Sequence, residues 1–132
     1  MKNKFDILAV DDEQVIIDSI IKIAKLDNLT IDTALDAQTA LAKLNDNDYN
    51  VILSDVMMPG MDGFQFLQEL AARKIQTPVI ITTGYSAVEN AVKALYEGAI
   101  AFIPKPFSID ELESTLRRGL RYNQVIQKAN ES

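Results

Sequence analysis

The sequence predicts an α/β domain in which five short strands alternate with five helices along a single chain. Two observations carry this prediction. Short apolar runs rich in β-branched residues alternate with longer segments in which apolar residues recur every three or four positions. The chain has 132 residues, the size of one domain, and shows no internal repeat. Strands joined through helices run parallel and are covered on both faces, so a doubly wound parallel sheet is expected.

The predicted strands are short runs bounded by polar residues or by turn-forming residues. A polar stretch at 45–48, made only of Asn and Asp, is expected to form a loop before the third strand. The third strand should end immediately before Asp55, as the first should end before Asp11. The predicted strands cover residues 5–10, 30–34, 51–54, 78–82 and 101–103.

Capping residues mark where the predicted helices begin and end. Asp36 is a candidate N-cap for the second helix, and Gly98 a candidate terminator for the fourth. Capping boxes are predicted at 86–89 and 108–111, opening the fourth and fifth helices. The apolar stripe of the fourth helix is expected to hold Val88, Ala91, Val92 and Leu95, and that of the fifth Ile109, Leu112, Leu116 and Leu120.

The last helical pattern continues through Tyr122, Val125 and Ile126, farther than one sheet could cover. Two interpretations stay open at this point. The segment is either a frayed, solvated tail or a connector toward a partner or a following domain.

Composition and charge exclude several classes of function. The formal net charge of −6 argues against non-specific nucleic-acid binding and against a basic membrane patch, although a DNA-binding partner or domain is not excluded. The absence of Cys excludes a disulfide framework, and the absence of His excludes a histidine base, ligand or phosphoryl carrier. No apolar run reaches the ~18–20 residues of a membrane span, and the N-terminus is a poor signal peptide. A cytoplasmic protein is expected.

Acidic residues follow two strands that are expected to be neighbours. With right-handed crossovers such a sheet commonly has the flavodoxin-like order 2-1-3-4-5, and ligands bind where the strand order reverses, between strands 1 and 3. Asp11 and Asp12 end the first strand, and Asp55 ends the third. Crowded carboxylates repel unless a cation lies between them, and oxygen ligands alone favour Mg²⁺ or Mn²⁺. The alternative is that these acids only cap a helix and occupy a turn.

Two further polar residues are expected at the same edge of the sheet. Lys105 follows the fifth strand and lies between Pro104 and Pro106, which restrict the local backbone. A cis peptide bond is realistic only before a proline. Its charge can face the acids and later a phosphoryl group. The Thr83 hydroxyl can donate to a phosphoryl oxygen, whereas the Thr82 side chain should point the other way.

These residues lie in motifs that resemble the receiver domain of two-component response regulators over essentially the whole chain. The stretch from Asp55 to Gly63 is the most specific of them. The motifs are Val10-Asp11-Asp12-Glu13, Asp55-Val56-Met57-Met58-Pro59-Gly60-Met61-Asp62-Gly63, Thr83-Gly84-Tyr85 and Lys105-Pro106-Phe107.

The resemblance implies a phosphoacceptor and a Mg²⁺ site, with Mn²⁺ as an alternative metal. Asp55 corresponds to the phosphoacceptor. Asp12 corresponds to a direct metal ligand, Asp11 to an acid that acts partly through water, and Asp55 to a further ligand. The backbone carbonyl of Met57 corresponds to the last protein ligand.

The resemblance also implies a switch. Thr83 corresponds to the switch hydroxyl, Lys105 to the family's lysine, and Phe102 to its aromatic switch, where many members have Tyr. Phe102 could pack inward but could not add the hydroxyl's hydrogen bond. Met57 and Tyr85 flank the acceptor, and neither readily orients a water, so slow hydrolysis of the phosphoryl group is expected.

The function implied is a phosphorelay receiver that takes its phosphoryl group from a sensor histidine kinase or a histidine phosphotransfer protein. Residues 4–122 would be the receiver and residues 123–132 a helical extension or tail. The surface formed by the fourth helix, fifth strand and fifth helix would control an unknown output partner, with a phosphorylation-dependent dimer conceivable. Two alternatives are a Mg²⁺-dependent phosphohydrolase and a pseudo-receiver that binds partners without phosphorylation.

Overall fold

The computed structural model describes residues 2–84 and 88–131, in which five strands alternate with five helices. The strands are β1 (Asn3–Val10), β2 (Ile31–Ala34), β3 (Asn47–Asp55), β4 (Val79–Thr83) and β5 (Ala101–Pro104). The helices are α1 (Gln14–Leu26), α2 (Ala37–Asp46), α3 (Gly63–Ala72), α4 (Val88–Tyr96) and α5 (Ile109–Glu131). In this part of the chain, no helix combines the length and the hydropathy needed to cross a bilayer.

The strands form one parallel sheet in the order β2-β1-β3-β4-β5, which confirms the predicted fold class. The strand register brings the carboxyl ends of the inner strands level. Val10 of β1 pairs with Ser54 of β3, and Asp55 pairs with Thr82 of β4. The residues that follow the strands therefore meet at a single edge of the sheet.

Helices cover both faces of the sheet, and each face has its own apolar core. One core lies under α1 and α5, the other under α2, α3 and α4. In α5, Gly119 allows close packing, because a Cβ there would lie 2.8 Å from the Cγ2 of Val51. The first core includes Ile7, Ala9, Ile17, Ile20, Leu53, Ile80, Leu112 and Leu116; the second includes Leu8, Val10, Leu41, Ile52, Phe66, Leu70 and Ile81.

The loop predicted at residues 45–48 is wrong. Helix α2 continues to Asp46 and β3 begins directly at Asn47. Asn47 pairs with Asn3 of β1, and its side chain donates to the carbonyl of Lys43 at 3.3 Å, which caps the helix end. The sheet pairing with β1 thus overrides the turn preference of an Asn/Asp run.

Two predicted apolar stripes are partly wrong. Val92 and Leu95 of α4 are about half exposed, at 47% and 48%, while Ala94 is fully buried. Ile109 of α5 is also exposed, whereas Leu116 is buried as predicted. A helix that contacts its neighbours through an alanine sits close to them and leaves the adjacent large side chains outside.

The structure confirms two of the predicted helix starts. The Asp36 side chain accepts from the backbone N–H of Thr39 at 2.7 Å, which confirms the predicted cap. At the start of α5, the backbone N–H of Glu111 donates to the hydroxyl of Ser108 at 3.0 Å, and the Glu111 carboxylate accepts in return from Ser108. The capping box predicted at 86–89 falls partly outside the described residues.

Helix α5 continues through Glu131, and side-chain amides link its last turns to other elements. Asn123 is buried, and its amide donates to Oδ1 of Asn50 in β3 at 3.2 Å. Asn130 donates to Oε1 of Gln76 at 2.9 Å. Tyr122 and Val125 face outward and are at least half exposed. The extension is thus held to the amino-terminal edge of the sheet by amide hydrogen bonds.

Candidate functional site

Four acidic side chains gather at the carboxyl edge of β1 and β3, as the sequence predicted for three of them. One carboxylate oxygen from each of Asp11, Asp12, Glu13 and Asp55 lies within 4.8 Å of the others. Asp11 and Asp55 are buried, while Asp12 and Glu13 are exposed. Sequence reasoning gave Glu13 no role, although it directly follows the predicted pair in the chain.

Lys105 reaches into this cluster from the loop after β5. Its Nζ lies 2.6 Å from Oδ2 of Asp11 and 3.5 Å from Oδ2 of Asp55, and only 10% of its side chain is exposed. Glu13 is farther away, at 3.9 Å, and exposed to solvent. The next peptide bond, between Lys105 and Pro106, is cis. The lysine places one fixed positive charge between the two buried carboxylates.

Burial and charge perturb the ionisation of this group of residues. Burial, followed by the negative charge of Asp11, raises the pKa of Asp55 to about 6, against the opposing effect of Lys105. Burial lowers the pKa of Lys105, but its hydrogen bond to Asp11 and the charges of Asp55 and Asp11 outweigh burial, so the net pKa is raised. The lysine therefore stays charged, but the protein's own positive charge offsets only part of the negative charge at Asp55.

Backbone contacts fix the segment that carries Asp55. The N–H of Val56 donates to Oδ1 of Asp55 at 2.9 Å and to the carbonyl of Thr82 at 3.1 Å. The N–H of Gly63 donates to the carbonyl of Val56 at 2.8 Å. A Cβ on residue 63 would lie 2.6 Å from the carbonyl oxygen of Asp55, so only glycine permits this close approach.

A capping box that sequence reasoning missed holds the same turn. The Asp62 side chain accepts from the N–H of Gln65, and the Gln65 side chain accepts from the N–H of Asp62. Its signal, Asp followed three residues later by Gln, was present in the chain. The box fixes the start of α3 at Gly63, where the helix backbone lies against Asp55.

The remaining predicted residues lie around this centre at different depths. Thr83 ends β4 and is buried, and its carbonyl accepts from the backbone N–H of Lys105 at 2.7 Å. Phe102 in β5 is 38% exposed, and Met57, after β3, is 69% exposed. Tyr85 lies outside the described residues.

Comparisons with known proteins agree with this geometry. The family model described as the response regulator receiver domain matches residues 7–117. The chain belongs to this family. Its sheet order and helices are also those of solved receiver domains.

The relatives of this receiver domain are longer regulators. It is 35% identical to the transcriptional regulatory protein TcrA of Mycobacterium tuberculosis over 84% of this chain and 44% of TcrA. It is 38% identical to the regulatory protein AtoC of Escherichia coli over 90% of this chain and 26% of AtoC. The chain thus spans less than half the length of these curated relatives.

Solved structures of similar length give the same result. The receiver domain of NtrX from Brucella abortus superposes with a TM-score of 0.83 at 36% identity, covering 88% of this chain and 98% of that one. The Francisella response regulator 1452 receiver domain gives a TM-score of 0.84 at 34% identity, covering 89% and 98%. This chain therefore matches a whole receiver unit.

The donor set of the receiver domain fits a hard divalent cation. Its acidic cluster offers only oxygen ligands, which suit Mg²⁺ and, to a lesser degree, Mn²⁺. The two buried carboxylates share one ammonium group, so a net negative charge remains for a cation to neutralise. The residues that could hold the ion are the exposed Asp12 and the buried Asp11 and Asp55.

Proposed function

We propose that this receiver domain takes a phosphoryl group on Asp55 in a Mg²⁺-dependent reaction and reports the event through its surface. One observation carries the proposal. The buried carboxylate of Asp55 lies at the carboxyl edge of the sheet, 3.5 Å from the ammonium group of Lys105 and beside the acids Asp11 and Asp12.

The phosphoryl donor is proposed to be a phosphohistidine on a separate sensor kinase or phosphotransfer protein, since this chain contains no His. A carboxylate oxygen of Asp55 forms a bond to phosphorus as the phosphorus–nitrogen bond breaks, and the bonding electrons leave with the imidazole. The product is an acyl phosphate. Positioning and charge stabilisation dominate such transfers.

The protein's own residues would supply much of that stabilisation. Lys105 holds a positive charge where the equatorial phosphoryl oxygens develop negative charge. A bound Mg²⁺ supplies further positive charge, and its proposed ligands are Asp11, Asp12, Asp55 and the backbone carbonyl of Met57. The pKa of Asp55, about 6, leaves the carboxylate mostly ionised and nucleophilic at neutral pH.

We propose that Thr83 and Phe102 pass the event to the α4-β5-α5 surface. The Thr83 hydroxyl would turn toward the phosphoryl oxygens, and Phe102, now 38% exposed, would fill the space that it leaves. Such a switch shifts the balance between two conformations of the domain, because phosphorylation of Asp55 favours one of them. The exposed Val92, Leu95 and Tyr96 of α4 form part of the surface that would change.

The partners and the domain limits are proposals of the same kind. The relatives are transcriptional regulators longer than this chain, which supports an output domain that acts for this receiver as well. We propose residues 4–122 as the receiver unit, which contains the matched range 7–117, and residues 123–132 as the helical extension toward that output domain.

Incubation with acetyl phosphate and Mg²⁺, followed by intact mass spectrometry, tests the proposal. We expect one phosphoryl adduct, abolished by Asp55→Asn and by omission of the metal. Labelling of Asp55→Asn, or no labelling at millimolar Mg²⁺, contradicts the proposal, and the second result favours a pseudo-receiver. Continuous turnover of a phosphoester would favour a phosphohydrolase.

A further inference from the structure

Helix α4 contacts α3 through a cation and an aromatic ring. The Nζ of Lys93 lies 4.5 Å from the centroid of the Phe64 ring, within the ~6 Å at which a cation–π attraction acts. Phe64 is buried, with 8% exposure, so water has little access to it.

Phe64 is connected through the backbone to the phosphoacceptor. It follows Gly63, whose N–H donates to the carbonyl of Val56 at 2.8 Å. At Gly63, the backbone comes so close to Asp55 that a Cβ would lie 2.6 Å from the Asp55 carbonyl oxygen. A shift of the Asp55–Val56 peptide would therefore act directly on the start of α3. A continuous path of contacts runs from Asp55 through Gly63 and Phe64 to Lys93.

The other described side chains of α4 indicate that this contact matters for the position of the helix. Among the side chains of α4 that the structure describes, Ala94 is fully buried, while Val92 and Leu95 are about half exposed and Tyr96 is 88% exposed. Just beyond the helix, Glu97 accepts from the amide of Gln68 in α3 at 3.3 Å. This described part of α4, residues 92–96, buries little large apolar surface, so single polar contacts can decide its position.

We infer that the Lys93–Phe64 contact couples the loop at Asp55 to the position of α4, by a route separate from Thr83 and Phe102. The contact stabilises the α4 position seen here. Its loss shifts the helix toward a second position, and a modification at Asp55 that displaces α3 has the same effect. The signalling meaning of this coupling rests on the proposed function, but the coupling itself does not.

Amide chemical shifts of α4 in the full chain, recorded by NMR without any phosphodonor, test the coupling directly. For Lys93→Met we expect shifts not only at Ala94, Leu95 and Tyr96 but also at the amides of Gly63 and Val56, beside Asp55. The shifts should correspond to a two- to five-fold change in the population ratio of the two α4 positions. Losing an exposed cation–π contact changes an equilibrium by about this factor. Lys93→Arg, which keeps the cation, should restore the parent shifts, and Lys128→Met should leave them unchanged.

A double-mutant cycle separates a specific contact from a general loosening. Phe64→Leu keeps an apolar side chain at the buried site and removes the π face, and Lys93 is exposed, so both variants should fold. The double variant Phe64→Leu/Lys93→Met should show no larger shift of α4 than Lys93→Met alone. Additive effects of the two substitutions, or shifts confined to the substituted positions, would overturn the inference.

The affinity for beryllofluoride, a mimic of the phosphoryl group, distinguishes this inference from the proposed function. With Mg²⁺ present, Lys93→Met should bind it two- to five-fold more tightly, because the competent position is more populated. If the parent protein does not bind beryllofluoride, the proposed function fails while the coupling is still judged by the amide shifts. If the parent binds and Lys93→Met binds equally tightly, the coupling is wrong.

Discussion

The Nζ of Lys105 lies 2.6 Å from Oδ2 of Asp11, a residue 94 positions earlier in the chain, and farther, at 3.5 Å, from Asp55. The lysine thus pairs mainly with an acid of the proposed metal site and only in part with the proposed acceptor. Taking up a cation at Asp11 would weaken that pairing and leave the ammonium group available to Asp55 and its phosphoryl oxygens.

Replacing Lys105 should slow phosphoryl acceptance strongly. In Lys105→Met the two buried carboxylates lose their shared positive charge, and the transition state loses one charged donor, which typically costs about 10²-fold in rate. The measurement is the initial rate of Asp55 labelling by acetyl phosphate and Mg²⁺. Lys128→Met, on the exposed end of α5, is the control, and an unchanged rate in Lys105→Met would contradict the proposed role.

Asp55→Asn should stabilise the metal-free fold at neutral pH. The pKa of Asp55 is raised from 3.8 to about 6 on folding, so the folded state binds more protons and the parent loses stability as pH rises between these values. Removing the carboxylate should therefore raise the free energy of unfolding by about 2–3 kcal/mol near pH 7.5. Urea unfolding in EDTA measures it.

The same measurement at lower pH gives the control for this prediction. Near pH 4, close to the pKa of Asp55 in the unfolded chain, Asp55 is protonated in the folded protein and destabilises it little. The gain in unfolding free energy from Asp55→Asn should therefore nearly vanish. An advantage that is equal at both pH values would mean that the stabilisation does not come from the charge of Asp55.

Gly63→Ala should impair both stability and phosphorylation. An added Cβ would lie 2.6 Å from the carbonyl oxygen of Asp55 and 2.9 Å from the Cα of Val56, and backbone atoms cannot rotate away. We expect a loss of about 1–3 kcal/mol in unfolding free energy, as for other overpacked sites, and slower labelling of Asp55.

Gly119→Ala is the matched control for this substitution. Its Cβ would meet the side-chain methyl groups of Val51, at 2.8 Å, and Ile80, at 3.2 Å, and these can shift. It should cost less stability than Gly63→Ala and leave the labelling rate unchanged. Equal labelling rates in the two variants would show that the close approach at Gly63 does not position Asp55.

The fold and the acidic centre could be predicted because they depend on where each strand ends along the sequence and on the chemistry of the residues that follow it. Once the order 2-1-3-4-5 is assumed, Asp11 and Asp55 must follow neighbouring strands, and parallel strands bring their ends together. Lys105 could be placed at the same edge for the same reason. None of these steps depends on how individual side chains pack.

The errors arose where packing or pairing over long distances decided the outcome. The run at 45–48 has the composition of a loop, but Asn47 and Asp48 pair with β1, which lies about forty residues earlier. In α4 the periodic pattern could not reveal that Ala94 would lie inside while Val92 and Leu95 stayed half exposed. The contact between Lys93 and Phe64 depends on how two helices pack, so no sequence pattern predicts it.

Met57 should prolong the lifetime of the phosphoryl group. Its side chain is 69% exposed beside the acceptor and offers no group that orients an attacking water in line with phosphorus. Met57→Asn supplies an amide there, and we expect faster loss of the phosphoryl group, measured as the decay of labelled protein after removal of acetyl phosphate. Met57→Leu, another apolar side chain, should keep the parent lifetime, and an equal half-life in all three proteins would contradict the prediction.

Phe102→Trp should report the proposed switch by fluorescence. The chain contains no Trp, so the indole would be its single tryptophan fluorophore, and Phe102 is 38% exposed in the present state. If the aromatic residue moves inward when Asp55 is phosphorylated, the emission should shift to shorter wavelength on addition of acetyl phosphate and Mg²⁺. The shift should be absent in the double variant that also carries Asp55→Asn. It should be smaller with Thr83→Ala, since the smaller alanine leaves the space open before phosphorylation as well as after it. An emission spectrum that stays unchanged while intact mass shows full labelling would rule out Phe102 as the aromatic switch.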